Sequence, residues 1–111
     1  NFYTQPLKHI PFSEILTARI QLQLPVITEK VFGSPHLDGI RTFPYKVAVY
    51  YVNDSDGDTF FFDNSGKITQ RITPQKGRLV WWKGRIFHAK SSPTKTINRL
   101  VLNFNLLPIR T

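Results

Sequence analysis

The feature that most constrains this chain is a series of short segments with period-two alternation, each closed by turn chemistry. Arg19-Ile-Gln-Leu-Gln-Leu24 alternates polar and apolar residues, and Ile68 to Ile72 does so again. Successive side chains of extended backbone point to opposite faces, so such segments fit half-buried strands. Tyr45 to Asn53 is a longer β-branched and aromatic run. Thr59 to Asp63, Arg78 to Trp82, Ile86 to Lys90 and Asn98 to Leu107 continue the pattern. Asn64-Ser65-Gly66 and Pro74-Gln75-Lys76-Gly77 separate them with turn residues. Asp54 to Asp58 reads as a hairpin turn, with Gly57 available for a positive φ. About eight strands, with turns roughly every 8–12 residues, predict an all-β sandwich, jelly roll or barrel. One short helix is expected ahead of them, over residues 12–18, with Ser13 as N-cap and Glu14 in the first turn.

With 111 residues the chain has room for one core. A single domain over 1–111 is expected, with 1–18 as an N-terminal segment and 19–107 as the β core. Hydrophobic residues make up 41% and aromatics 14%, which excludes a disordered chain. No apolar run approaches the ~20 residues of a membrane helix, and no signal peptide is read at the start. A cytoplasmic setting and no membrane partner are therefore expected. There is no cysteine. Disulfides, zinc-thiolate sites and thiol nucleophiles are excluded together, so any metal must be held by nitrogen and oxygen.

The net charge of +8 is unevenly spread. All seven acids fall in residues 1–63, whereas residues 64–111 hold ten Lys and Arg and no acid. A one-sided basic field draws anionic partners. It makes a nucleic acid or an acidic protein a partner to consider beside the plain reading of a solvated surface.

His36-Leu37-Asp38 places an imidazole and a carboxylate two residues apart, on one face of extended backbone. His88 follows in the short apolar segment Ile86-Phe87-His88-Ala89, which a rolled-up sheet can bring opposite. Two histidines and one carboxylate on one side of a metal form a facial triad with open positions, the arrangement of non-haem Fe(II) oxygenases. Arg99 stands among Leu100, Val101, Leu102 and Phe104, where an unpaired charge would be costly. Period two puts Arg99, Val101, Asn103 and Asn105 on one face of that strand.

Four ordered stretches carry a resemblance. They are Pro35-His-Leu-Asp-Gly39, Val49-Tyr-Tyr-Val-Asn-Asp54 leading into Gly57-Asp-Thr-Phe60, Pro74-Gln-Lys-Gly-Arg-Leu-Val-Trp-Trp82, and Phe87-His88 through Arg99-Leu-Val-Leu-Asn-Phe-Asn105. In these the chain resembles the prolyl-4-hydroxylase-like branch of the Fe(II)/2-oxoglutarate-dependent oxygenases, from about Arg19 to Leu107. The resemblance implies a double-stranded β-helix (jelly roll) and a dioxygenase. It would take Fe(II), 2-oxoglutarate and O2, release succinate, and hydroxylate a primary substrate. Peptidyl proline is favoured by family habit alone; a peptide or an anionic polymer are both open. By position His36, Asp38 and His88 would hold iron. Arg99 would clamp the distal carboxylate of 2-oxoglutarate, with Tyr51 and Asn103 hydrogen-bonding the co-substrate. Only about 18 residues precede Arg19, where family members carry buttressing helices, so a minimal or partly represented domain is implied.

The alternative is a non-catalytic jelly roll that binds nucleic acid or an acidic partner through Arg78, Trp81, Trp82, Lys83 and Arg85. On the oxygenase reading, Trp81, Trp82, Lys83 and Arg85 are expected at the mouth of the pocket. Asp54, Asp56 and Asp58 fail as a calcium loop, because Gly57 falls between the second and third acid and Ser65 stands where the closing Glu belongs. His9 has no partner motif and is expected at the surface.

Overall fold

The structure is a computed structural model describing residues 7–26, 31–38 and 44–109. The described strands are β1 (Glu14–Gln23), β2 (Lys46–Tyr51), β3 (Thr59–Phe62), β4 (Ile68–Ile72), β5 (Leu79–Lys83), β6 (Phe87–Lys90) and β7 (Arg99–Leu107). They form two antiparallel sheets, one of four strands in the order β1-β7-β2-β5 and one of three in the order β4-β3-β6. The protein is all-β. Seven strands are described where about eight are expected, and at His36 the chain makes an isolated antiparallel bridge to His88 beside β6.

Alternation decides what lies between the sheets. Val47, Val49 and Tyr51 of β2, Trp82 of β5 and Val101 of β7 turn inward and meet Phe61 of β3. The opposite face of the four-stranded sheet buries Ala48, Phe104 and Leu106 beneath Leu7 and Ile10, from the segment ahead of β1. Phe32 covers the outer side of the other sheet, its ring centred 5.1 Å from both Phe60 and Phe62. The first of these clusters fills the layer between the two sheets, and a cavity lined by residues of both sheets lies beside it.

β1 carries a bulge. Ile15 opposes Leu106 and Thr17 opposes Asn105, so Leu16 is the extra residue. Before it, Ile15 faces outward against the Leu106 cluster; at it, Leu16 packs on the inner core. After it, Thr17, Arg19 and Gln21 take the inner face with Asn105, Asn103 and Val101. Ile20 and Leu22 are left facing solvent at 57% and 59% exposure.

Two local expectations are overturned. Residues 14–18 of the expected helix lie in β1, and Ser13 donates to the carbonyls of Leu107 and Pro108 instead of capping a helix. A seven-residue helix is marginal alone and its cap is worth about 1 kcal/mol, whereas pairing satisfies the backbone of nearly all of β7. Asp54–Asp58 is no hairpin turn, because β2 and β3 lie in different sheets. Positive φ occurs at Gly66 and Gly77, not at Gly57. Gly57 is required for close approach: a Cβ there would lie 2.6 Å from the Ser91 carbonyl and 3.1 Å from Arg99 Cδ.

Candidate metal centre

Backbone pairing brings the two histidines together. The His36 amide donates to the His88 carbonyl at 2.9 Å and the His88 amide returns the bond at 3.0 Å, so they form a directly opposed pair. Asp38 sits two residues on, and its backbone carbonyl is held by the Tyr45 hydroxyl at 3.1 Å, which also lies 2.7 Å from the Gly84 carbonyl. A Cβ on Gly84 would fall within 2.2–2.4 Å of the Tyr45 ring. Only glycine lets that ring pass and reach Asp38. This support was missed in the sequence, where nothing links Tyr45 to Gly84.

Both imidazoles are oriented alike. His36 Nδ1 lies 3.0 Å from the Ser34 carbonyl and His88 Nδ1 lies 3.2 Å from the Ile86 carbonyl. A carbonyl only accepts, so each Nδ1 carries the hydrogen in the neutral ring and each Nε2 keeps its lone pair for a metal. Those Nε2 atoms converge on one carboxylate oxygen, Asp38 Oδ1, at 3.9 Å from His36 and 3.4 Å from His88. Ligand atoms around a first-row ion at about 2.1 Å would sit roughly 3.0–3.4 Å apart. The Asp38–His88 pair already has that spacing, while the wider separations in the group, within 4.8 Å, must close around an ion. All three ligand atoms lie within 4.8 Å of one another, a His-Asp-His group that could bind a metal.

Asp38 favours positive charge at the same point. Burial by itself would raise its carboxyl, but the hydrogen bond and charge that His88 supplies when Nε2 also carries a proton, with the charges of His36 and Arg19, outweigh it and hold the carboxyl below its ordinary value. A cation bound in place of those protons would act in the same direction. Its second oxygen, Oδ2, is buried with no hydrogen-bond partner. A buried acceptor left open beside two free imidazole lone pairs fits a cation, and the N,N,O donor set suits a divalent first-row metal.

A cavity of about 270 Å³ leads away from these ligands. That is near the lower bound of the roughly 300–1,000 Å³ of small-molecule pockets, so it suits a small ligand. His36, Asp38 and His88 line one part; Thr59, Arg99 and Asn103 line another. Arg99 is 4% exposed, the most buried cation of the site. Its Nε donates to the Gly57 carbonyl at 2.8 Å and a terminal nitrogen donates to Thr59 Oγ1 at 2.8 Å. Among the described residues it has no carboxylate partner within ion-pair distance. Burial pulls its pKa below the ordinary value against Tyr51 and Asp58, though a guanidinium stays charged at any working pH.

Asn103 is placed as period two predicts, lining the cavity with its Oδ1 buried and unpartnered. Tyr51 is not placed at the cavity wall. It is fully buried, hydrogen-bonds Thr59 Oγ1 at 2.7 Å and lies with its ring 5.7 Å from the Arg99 guanidinium carbon. It touches the site through Thr59 and Arg99. Burial raises its pKa against the Thr59 hydrogen bond and the Arg99 and Arg78 charges.

The basic-aromatic row does not form one surface. Trp82 lines the cavity, 5.0 Å from the His88 ring, while Trp81 lies on the opposite side of β5 with Lys46 over its ring. Arg78 is occupied by the Thr73 carbonyl and Gln75. The three loop acids are separately engaged: Asp54 by the Lys76 amide, Asp56 by Thr94, Lys95 and Thr96, and Asp58 by Arg71. His9 is exposed, as expected. Arg19 and Lys90 also line the cavity and went unnoticed in the sequence. Period two from His88 was the signal for Lys90.

Comparison with protein-family models and with curated proteins gives no match for this chain. Among the described residues, no helix is long and apolar enough to cross a membrane.

Proposed function

We propose that this chain is an Fe(II)- and 2-oxoglutarate-dependent dioxygenase, built as a double-stranded β-helix of the prolyl-4-hydroxylase-like kind. The observation that carries the reading is convergence: two Nε2 lone pairs and Asp38 meet at one end of a small cavity that has the buried Arg99 guanidinium on its wall. The strand order supports the fold, since the chain passes from one sheet to the other between β2 and β3, β4 and β5, β5 and β6, and β6 and β7. His36, Asp38 and His88 would hold the iron. When bound, iron supplies dioxygen activation coupled to decarboxylation of 2-oxoglutarate to succinate, with hydroxylation of a C–H bond.

The chain's own residues do the rest. Arg99, fixed by Gly57 and Thr59, presents a planar donor to the distal carboxylate, where a charge-assisted contact orients the co-substrate. Thr59 and Asn103 add hydrogen-bonding groups beside it. The Trp82 ring and Val101 form an apolar wall that restricts water. Asp38, held below the ordinary carboxylate range, stays ionised as a ligand throughout the neutral range.

The test is succinate formation from 2-oxoglutarate with and without added Fe(II), in the wild type and in His88→Ala. Turnover that requires iron and disappears in the variant, together with loss of Fe(II) binding, is expected. Succinate formation indifferent to both iron and the substitution overturns the reading.

A further inference from the structure

With a divalent metal bound, the cavity would hold more positive charge than Asp38 and a 2-oxoglutarate dianion can neutralise. Arg19 lies on the inner face of β1, opposite Asn103, and Lys90 lies on β6 two residues after His88, hence on the same face. Lys90 pairs with Thr59 across the sheet, and Thr59 is itself the partner of Arg99. The three cations therefore face one space. Among the described residues, Asp38 is the sole carboxylate lining the cavity.

Charge balance then decides the matter. A divalent metal and Arg99 carry three positive charges together; Asp38 and a 2-oxoglutarate dianion match them. Among the described residues that line the cavity, Arg19 and Lys90 then remain in excess. Both side chains are solvent-exposed while lining the cavity, so they stand at its open side, and like charges gathered at such an opening mark a place where an anion is drawn in.

We propose that Arg19 and Lys90 form a second anion subsite, which receives an acidic group, phosphate or carboxylate, on the primary substrate. The proposal rests on the oxygenase reading, which assigns Arg99 to the co-substrate. The unpartnered Asn103 Oδ1 and Trp82 Nε1 lie on the same wall and offer an acceptor and a donor for the neighbouring part of that substrate. An acidic head fixed beside the metal ligands would present its adjoining carbon to the open coordination face. The substrate class is an acid, not a neutral side chain.

The test loads the full chain with Mn(II) and N-oxalylglycine, an unreactive 2-oxoglutarate analogue, so that the metal site and Arg99 are occupied. Inorganic phosphate, and acetate in parallel, are titrated at constant ionic strength by calorimetry. Saturable binding that depends on Arg19 and Lys90 is expected, about tenfold or more weaker in Arg19→Gln/Lys90→Gln, as the loss of charge-assisted hydrogen bonds predicts. Lys90→Arg keeps the charge and retains binding, which separates loss of the site from loss of the fold. Phosphate binding alone assigns a phosphorylated substrate; comparable acetate binding extends it to carboxylic acids. Absence of saturable binding, or binding that the double variant keeps, overturns the subsite. So does phosphate that binds only by displacing N-oxalylglycine, because the cations would then serve the co-substrate. Failure of N-oxalylglycine to bind the Mn(II)-loaded wild type is a different result: it overturns the oxygenase reading, and with it the assignment of the anion to a substrate.

Discussion

The two ends of the cavity are built in opposite ways. Arg99 opens β7, which is paired on both sides, and two hydrogen bonds to β3 and its preceding loop lock its guanidinium. His36 rests on a single bridge, and its side chain is 53% exposed against 9% for His88. Arg99 is thus held by the sheet itself, while the His-Asp-His group takes one residue from a strand and two from a segment beside it. On the proposed reading the contrast means that the carboxylate clamp would be preformed and the metal end completed by its ion. Binding free energy spent on ordering that segment couples metal affinity to local folding.

Removing the preformed end has the largest effect. Arg99→Leu is expected to raise the KM for 2-oxoglutarate about a hundredfold, as the loss of a bidentate charged contact worth about 3 kcal/mol implies, while Fe(II) affinity changes little. Steady-state kinetics and metal titration on the same variant check both halves. Equal losses of metal and co-substrate affinity would mean that the two ends are not separable.

The support of the metal end is next in size. Gly84→Ala drives a methyl into the Tyr45 ring and displaces the hydroxyl that anchors Asp38. Metal affinity should fall by about 10- to 100-fold, the usual range for residues that orient a ligand. Tyr45→Phe, which keeps the ring and removes the hydroxyl, should show the smaller end of that range by calorimetry. An unchanged affinity in both would detach Asp38 from this support.

Hydrogen exchange compares the ends directly. Adding a divalent metal should slow exchange at the His36 and His88 amides and leave those of Val101 and Asn103 nearly unchanged, since β7 is already paired on both sides. Uniform protection along β7 would contradict a preformed clamp.

The smallest effect lies in the loop that shields Arg99. Thr94, with the Lys95 and Thr96 groups, outweighs burial and holds Asp56 far below the ordinary carboxyl value. A depressed folded pKa stabilises above the unfolded value near 3.9, and that contribution drains as pH falls below it. Asp56→Asn should therefore lower stability by about 1 kcal/mol at pH 7, after screening by solvent, and by less near pH 2, where part of the contribution has drained. Paired denaturation curves at the two pH values check the sign.

Much of this contrast was legible in the residues. The i, i+2 spacing of His36 and Asp38, and Arg99 inside an apolar run, are local patterns that survive folding. What escaped depends on partners distant in sequence. Glu14 and its neighbours follow β7 because a long ladder outweighs a local cap. Thr59 joins Tyr51 to Arg99 across two sheets, which no spacing rule reveals. Gly57 and Gly84 matter for what would collide with them, and the colliding atoms lie 34 to 42 residues away in Ser91, Arg99 and Tyr45.

The bulge at Leu16 has a consequence for the identity of the cavity. Continued straight from Ile15, β1 would turn Ile20 and Leu22 inward and Arg19 and Gln21 outward, the orientation that hydrophobic burial favours. One added residue shifts the phase of everything after it. The apolar stripe is surrendered to solvent, and the polar stripe becomes cavity wall. Ligand charge and strand register are in this way two readings of one variable: an anion held at Arg19 would bias the strand toward the phase that the hydrophobic effect opposes.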